Sequence, residues 1–265
     1  MGRGSEIDWL AVCRRAAGAA REAVLGFASA AERAEPQGRG EGGDTTLAVD
    51  LAAEDAVFAE LERLDAPLTA VSEERGEVSL GGGGPTRLVI DPVDGSLNAK
   101  RGLPFACVSI AVASGDRMDD VHLGLVTELD SGVEWWALRG QGAFRDGRRL
   151  SPPDPGGTLE VLGLETARPE LVAAAAEAVL SLEARRLRVL GAVATSLCLV
   201  ADGRLDAMMS LRAVRSVDVA AGQLIVREAG GAVALPGGDA LDLEMRSTVY
   251  AARSDELLDR LRARA

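Results

Sequence analysis

The stretch Asp91-Pro92-Val93-Asp94-Gly95-Ser96-Leu97-Asn98 follows an apolar run, Leu88-Val89-Ile90. The run reads as a buried strand. Pro92 and Gly95 are expected to end it and bend the chain. Two carboxylates three positions apart then stand at the C-terminal end of a strand, around a tight turn that can aim both at one point. Anions held that close repel unless a cation or a proton lies between them. Carboxylate oxygens suit a hard divalent cation, Mg²⁺ or Mn²⁺. Taken alone, Asp, Pro and Gly are also ordinary turn residues, so the stretch reads either as a plain turn or as part of a metal site.

Composition narrows the choice. The chain has 265 residues, enough for one large domain or two small ones. Aromatic residues make up only 3%, so the core must be Ala, Val and Leu, and a base-stacking surface is disfavoured. A net charge of -12 argues against a nucleic-acid partner. An acidic protein that handles phosphate must carry its positive charge locally, as metal or as a few arginines. No stretch approaches a membrane span, no secretory apolar region opens the chain, and Glu6 stands where myristoylation needs Ser or Thr. A soluble cytoplasmic protein with no membrane partner is expected. Cys13, Cys107 and Cys198 lie far apart and read as small buried residues, not as zinc ligands or disulfides. His122 is the one histidine and reads as a structural strand residue, which leaves no His-based triad.

Hydrophobic spacing predicts a helix over 7–31, with Trp9, Leu10, Cys13, Ala17, Val24 and Phe27 on one face. A polar, Gly-rich loop or hairpin follows over 32–43. A second helix is predicted over 51–64 and a short strand over 68–72, ending at Glu73-Glu74. The glycines at 81–84 read as a surface turn; no Gly-Lys-Ser/Thr follows to make a phosphate loop. Strands over 105–114, 121–129 and 133–138 and a hairpin over 140–147 predict an antiparallel sheet, with Trp135 and Trp136 on opposite faces. Pro152, Pro153, Pro155, Gly156 and Gly157 break the pattern. The boundary is placed there, between an N-terminal α+β domain over 1–150 and a C-terminal α/β domain over 151–265. The second half alternates: strand 159–164, helix 169–183, strand 186–190, helix 193–201, strand 205–209, helix 218–228, strand 248–252 and helix 254–264. Such mixing indicates a layered α+β or α/β architecture.

Further carboxylates stand at element ends. Asp50 precedes the second helix, Glu73 and Glu74 end a strand, and Asp218 starts a helix, where an N-cap is the ordinary role. The surroundings of these acids give them a shared meaning. Residues 91–98, then Arg101-Gly-Leu-Pro-Phe105 and Val108-Ser-Ile110, resemble the signature of the inositol monophosphatase family, Asp-Pro-Ile-Asp-Gly-Thr-x-Asn followed by Gly-x-Pro and Val-Ser-Ile. Val217-Asp-Val-Ala-Ala-Gly222 and Glu228-Ala-Gly-Gly231 resemble its second signature. Val71-Ser-Glu-Glu74 is similar to its Gly-Glu-Glu segment, and Gly43-Asp-Thr-Thr-Leu-Ala-Val-Asp50 to its Asp-x-x-Thr-x-x-Asp stretch. Gly191-Ala-Val-Ala-Thr-Ser-Leu197 and Gly203-Arg-Leu-Asp-Ala207 resemble the segment between the signatures. The matches run in order from Gly38 to Gly231.

The resemblance implies a layered αβαβα fold, a Mg²⁺-dependent, lithium-sensitive phosphomonoesterase, and a homodimer acting on a small phosphorylated metabolite. It implies that Glu73, Asp91 and the Val93 carbonyl hold one metal, that Asp91, Asp94 and Asp218 hold a second, and that Glu73 shares a third, weaker ion. It makes Asp50, Glu73 and Ser96 the catalytic set, with Asp50 and Ser96 orienting and deprotonating the attacking water, and gives the phosphate to the N–H groups of Gly95 and Ser96. The chain departs from the pattern in places. Ser96 replaces Thr but keeps the hydroxyl, Val217 replaces Trp, Leu47 takes the Thr position with Thr46 beside it, and Ala192 follows Gly191 where Ser is usual. The family's sugar-holding carboxylate is absent near Leu211, where the chain reads Ser210-Leu-Arg212-Ala-Val-Arg215. Arg212 and Arg215 are either surface charge or an anion clamp for substrate, which guanidinium geometry favours. The expected function is hydrolysis of inositol monophosphate or a related sugar phosphate. Fructose-1,6-bisphosphatase or 3′-phosphonucleotide phosphatase activity is the alternative within the class, and a non-catalytic metal-dependent binding protein the alternative outside it.

Overall fold

A computed structural model describes residues 7–43, 45–151, 158–166 and 168–264. Asp44 and the Pro- and Gly-rich run at 152–157, where the boundary was expected, lie outside the described residues. In chain order the elements are α1 (Trp9–Leu25), α2 (Ala30–Arg33), β1 (Pro36–Arg39), β2 (Thr45–Leu47), α3 (Ala48–Glu62), β3 (Leu68–Ser72), β4 (Gly76–Leu80), β5 (Arg87–Asp94), α4 (Ser96–Arg101), β6 (Cys107–Ala113), β7 (Val121–Glu128), β8 (Glu134–Leu138), β9 (Gly142–Arg145) and β10 (Arg148–Arg149). There follow β11 (Val161–Glu165), α5 (Pro169–Ala174), α6 (Ala176–Ser181), β12 (Arg186–Arg188), α7 (Val193–Ala201), β13 (Ala207–Ser210), α8 (Ser216–Glu228), β14 (Ala232–Ala234), β15 (Tyr250–Ala252) and α9 (Asp255–Arg262).

Two sheets organise these elements. The larger has the order β10-β9-β8-β7-β6-β5-β3-β4, antiparallel except where β3 runs parallel to β5. The smaller has the order β12-β11-β13-β15-β14. α1 and α3 cover one face of the larger sheet, packing Val12, Cys13, Ala16, Val57, Phe58 and Leu61 on Leu88, Ile90, Val108 and Leu123. α7 and α8 fill the space between the sheets in a core that joins Val89, Cys107 and Val126 to Leu197, Ala220 and Ile225. α9 and Val179 of α6 pack with the smaller sheet on Leu162, Leu164 and Met209. The layers are α, β, α, β, α, as the family resemblance implied. Trp135 is buried and Trp136 half-exposed, the alternation a strand dictates.

The decisive departure is at β5. Pro92 does not end the strand; pairing with β6 continues to Asp94, with the register shifting between Asp91 and Asp94. Three residue steps on β5 face two on β6, from Ser109 to Cys107. This is a bulge, and it accommodates a proline that has no N–H for the ladder. The turn begins at Gly95, whose φ of 90° suits glycine, and an added Cβ there would sit 3.2 Å from the Ala192 side chain. α4, unexpected from the sequence, starts directly after it.

Other boundaries also moved. The helix expected over 7–31 stops at Gly26, and Ser29 caps α2 by accepting from the Glu32 N–H (3.2 Å). The helix expected over 169–183 is two pieces meeting at Ala175. α3 starts at Ala48 and α8 at Ser216, both earlier than predicted, which places Asp50 and Asp218 inside their helices. α8 approaches its neighbours closely: an added Cβ at Gly124 of β7 would lie 2.6 Å from the Ala221 carbonyl oxygen, and one at Gly222 would lie 2.7 Å from Leu197. Among the described residues no helix is long and apolar enough to cross a membrane.

Candidate metal centre

Three separate elements deliver carboxylates to one point. Glu73 follows β3, Asp91 lies on β5, and Asp218 stands in the first turn of α8; one oxygen from each lies within 4.8 Å of the others. Asp91 and Asp218 are buried and Glu73 is partly buried. The bulge in β5 turns Asp94 toward the same region, where its Oδ2 accepts from the Ala194 N–H at the start of α7 (2.6 Å). Asp91 Oδ1 accepts from the Val93 N–H (3.0 Å), and the Val93 carbonyl accepts from the Ser96 hydroxyl (3.0 Å).

Asp50 and Asp218 are each the third residue of a helix. Asp50 Oδ2 accepts from the Leu47 N–H (3.0 Å) and Asp218 Oδ2 from the Arg215 N–H (2.8 Å), so each satisfies an N–H at its own helix start. The other oxygen of Asp50 is buried without a hydrogen-bond partner among the described residues. The Ser96 hydroxyl is close enough to favour the ionised Asp50 carboxylate, while burial acts more strongly in the other direction and raises its pKa. Thr46, beside Leu47, turns its hydroxyl to Glu74 instead.

These acids resist ionisation together. Burial pushes Glu73 up to about 8, opposed by Arg215 and reinforced by Asp218, Glu74 and Asp50. Burial and then Asp218 push Asp94 up to about 8, against the N–H groups of Ala194 and Val193. Asp91 is raised well above the usual carboxylate range by burial, with Glu73, Asp94 and Asp218 adding to it. A cluster of this kind needs protons or a cation. The donors are all oxygen and one Asp50 oxygen is unpartnered, a set that fits a hard divalent cation.

The two arginines are placed differently. Arg215 is buried, and its guanidinium donates to Glu73 and to the Gly42 carbonyl (3.4 Å). Arg212 is exposed and lines a cleft of about 310 Å³ beside Asp94, with Leu97, Asn98, Glu165 and Val189. Glu165 was not expected. It is 3% exposed at the end of β11 and accepts from the N–H groups of Leu190 (3.3 Å) and Gly191 (3.0 Å) and from the Ser196 hydroxyl (2.6 Å). Asn98 donates to the Leu190 carbonyl from the opposite side (2.7 Å), so the wall of the cleft is pinned twice. The one signal for Glu165 in the sequence was a single acid closing an apolar strand, the same pattern that Asp91 shows.

Comparison with known proteins gives the family and the fold. The model of the inositol monophosphatase family matches residues 8–265. The chain belongs to the inositol monophosphatase family. It is 32% identical over 273 residues to a fructose-1,6-bisphosphatase/inositol-1-monophosphatase of Methanothermobacter thermautotrophicus, covering 96% of this chain and 95% of the relative. It is 32% identical over 255 residues to the protein of the same description from Archaeoglobus fulgidus, covering 93% and 94%. A crystal structure of an inositol monophosphatase–fructose 1,6-bisphosphatase superposes with a TM-score of 0.82 at 26% identity, over 98% of this chain and all of that one. This family member is a metal-dependent phosphoric monoester hydrolase.

Proposed function

We propose that the chain hydrolyses inositol monophosphate or a related sugar phosphate with Mg²⁺, Mn²⁺ being a substitute. The observation that carries this reading is the convergence of Glu73, Asp91 and Asp218 from three elements on one point. Glu73, Asp91 and the Val93 carbonyl would hold one ion; Asp91, Asp94 and Asp218 a second; Glu73 shares in any third. Bound divalent cation supplies positive charge for the phosphate and the departing alkoxide and acidifies water.

The remaining work falls to the chain. Asp50 is held by the Leu47 N–H through one oxygen, and its other oxygen accepts the proton of the attacking water. The Ser96 hydroxyl orients that water. The N–H groups of Gly95 and Ser96 donate to the phosphate at the bend that the left-handed Gly95 creates. In-line attack then needs positioning and charge, not a covalent nucleophile. The cleft lined by Asp94, Asn98, Glu165 and Arg212 receives the rest of the substrate.

Arg212 supports a second reading, a bisphosphate substrate, because an exposed guanidinium at the cleft can take a second phosphate. A homodimer in the cytoplasm completes the proposal. Exposed Leu103 and Leu187, outside the cleft, supply apolar surface for a partner copy. Free, buried Cys13, Cys107 and Cys198 suit a reducing compartment.

The test is phosphate release from inositol-1-phosphate, fructose-1,6-bisphosphate, histidinol phosphate and 3′-phosphoadenosine-5′-phosphate, with Mg²⁺, with EDTA and with added Li⁺. Release that requires Mg²⁺ and falls with Li⁺ is expected, and the ranking chooses between one phosphate and two. Release that persists in EDTA overturns the mechanism.

A further inference from the structure

Arg215 sits where a cation is wanted. Its guanidinium bonds to Glu73, one of the three converging carboxylates, and to the Gly42 carbonyl. The loop around Gly42 is built to admit it. Gly42 N–H donates to the Glu73 carbonyl (2.8 Å) and Glu41 N–H to the Glu74 carbonyl (3.1 Å), so the loop is tied along Glu73-Glu74. An added Cβ at Gly42 would lie 2.4 Å from Arg215 Nη1. The missing side chain at 42 is therefore the space the guanidinium uses. A guanidinium stays charged and has only donors. Bonded to Glu73, it occupies one carboxylate oxygen and places permanent positive charge against the cluster. A divalent ion approaching Glu73 from that side meets a like charge in a site where burial leaves little water to screen the repulsion.

We propose that Arg215 is a resident cation of the carboxylate cluster. It holds the outer side of Glu73 against a divalent ion, and the chain takes one ion fewer than its carboxylates alone would accommodate. The Gly42 loop is the seat that keeps the guanidinium in place. This rests on the metal-dependent reading above and adds to it how many ions the site admits.

The experiment is a titration with Mn²⁺ alone, without substrate, counting free Mn²⁺ by its electron paramagnetic resonance signal. Wild type is compared with Arg215→Met and with Gly42→Ala. Gly42→Ala keeps every charge and crowds the guanidinium most, its Cβ 2.4 Å from Arg215 Nη1 against 3.1 Å from the Glu73 carbonyl oxygen and 3.3 Å from Glu73 Cγ, so it remains informative if Arg215→Met fails to fold. The expected result is one additional Mn²⁺ per chain in the variants, or a weakest site filled at a Mn²⁺ concentration at least tenfold lower. Equal or weaker binding in the variants overturns the inference while leaving the metal-dependent reading intact. A wild-type chain that binds no Mn²⁺ overturns both.

Discussion

Asp50 and Asp218 occupy the same station on two different helices: each is the third residue, and each accepts from the backbone N–H three residues earlier. One oxygen fixes the side chain to its helix start and the other faces the site. A carboxylate tied in this way loses little freedom when it takes up a proton or a cation. The positive end of each helix also lies beside it.

Asp50→Asn separates the two oxygens' duties. The amide oxygen can still accept from the Leu47 N–H, so melting temperature should change little. Turnover should fall roughly 10²–10⁴-fold, the ordinary range for losing a general base. Steady-state kinetics check this: KM stays near wild type while kcat falls. A kcat that survives removes Asp50 from the chemistry.

Asp91→Asn should damage activity and help the metal-free fold. Asp91 is buried among Glu73, Asp94 and Asp218, which together make its ionisation costly. A neutral amide relieves that repulsion, so the variant in EDTA should melt above wild type at pH 8. It should also lose at least about 10²-fold in kcat/KM and most of the stabilisation that Mg²⁺ gives wild type. Thermal melts with and without Mg²⁺ read both effects.

The acids that are pushed up to about 8, Glu73 and Asp94, set a pH dependence for the metal-free chain. In the unfolded chain such groups titrate near about 4. Between those values the folded state binds more protons than the unfolded one, so stability falls as pH rises. The contribution is full below about 4 and lost as pH passes about 8. Denaturant melts in EDTA from pH 5 to pH 9 should show this decline, and saturating Mg²⁺ should flatten it. A metal-free stability that climbs across this range contradicts the burial of these carboxylates.

Gly124→Ala tests the seating of α8. The new methyl would meet the Ala221 carbonyl oxygen at 2.6 Å, backbone that cannot swing aside. A loss of roughly 1–3 kcal/mol is expected from overpacking. Because α8 carries Asp218, Mn²⁺ affinity should drop as well, with every carboxylate unchanged. Titration of the folded variant distinguishes this from simple destabilisation.

Arg212→Ala should separate substrates. If the cleft arginine receives a second phosphate, KM for fructose-1,6-bisphosphate should rise about tenfold, the scale of one charge-assisted hydrogen bond, with inositol-1-phosphate little affected. Equal changes for both make Arg212 a general electrostatic contributor.

What the sequence made legible was the chemistry of local stretches. Asp91 and Asp94 could be paired because four consecutive positions contain both, whereas Glu73 entered the site through the family resemblance of Val71-Ser-Glu-Glu74. The alternation of periods two and 3.6 gave only a layered α+β or α/β architecture; the five layers came from the family resemblance. The β5 bulge was not legible, since Pro92 ordinarily stops a strand and only the pairing partner reveals that β5 resumes. Asp50 was placed before its helix and Asp218 at the very start of its own because a helix start carries no sharp hydrophobic signal, and Asp is the usual cap. Glu165 and Arg215 were harder still. Their meaning lies in partners distant along the chain, Gly191 and Ser196 for one, Glu73 and Gly42 for the other. No window of sequence contains both members of those pairs.

The order in which the carboxylates leave the ribosome also matters. Glu73, Asp91 and Asp94 emerge with the larger sheet, but Asp218 comes much later, on a helix wedged between that sheet and the smaller one. Domains begin to fold from the N-terminal end during synthesis. A nascent chain can therefore display most of its negative cluster for many seconds before the last acid arrives to share a cation. During that interval the three ligands proposed for the first ion, Glu73, Asp91 and the Val93 carbonyl, are already present, and only the second ion waits for Asp218. Filling of the second site then marks a finished chain, because Asp218 reaches the cluster only once α8 is seated between the sheets.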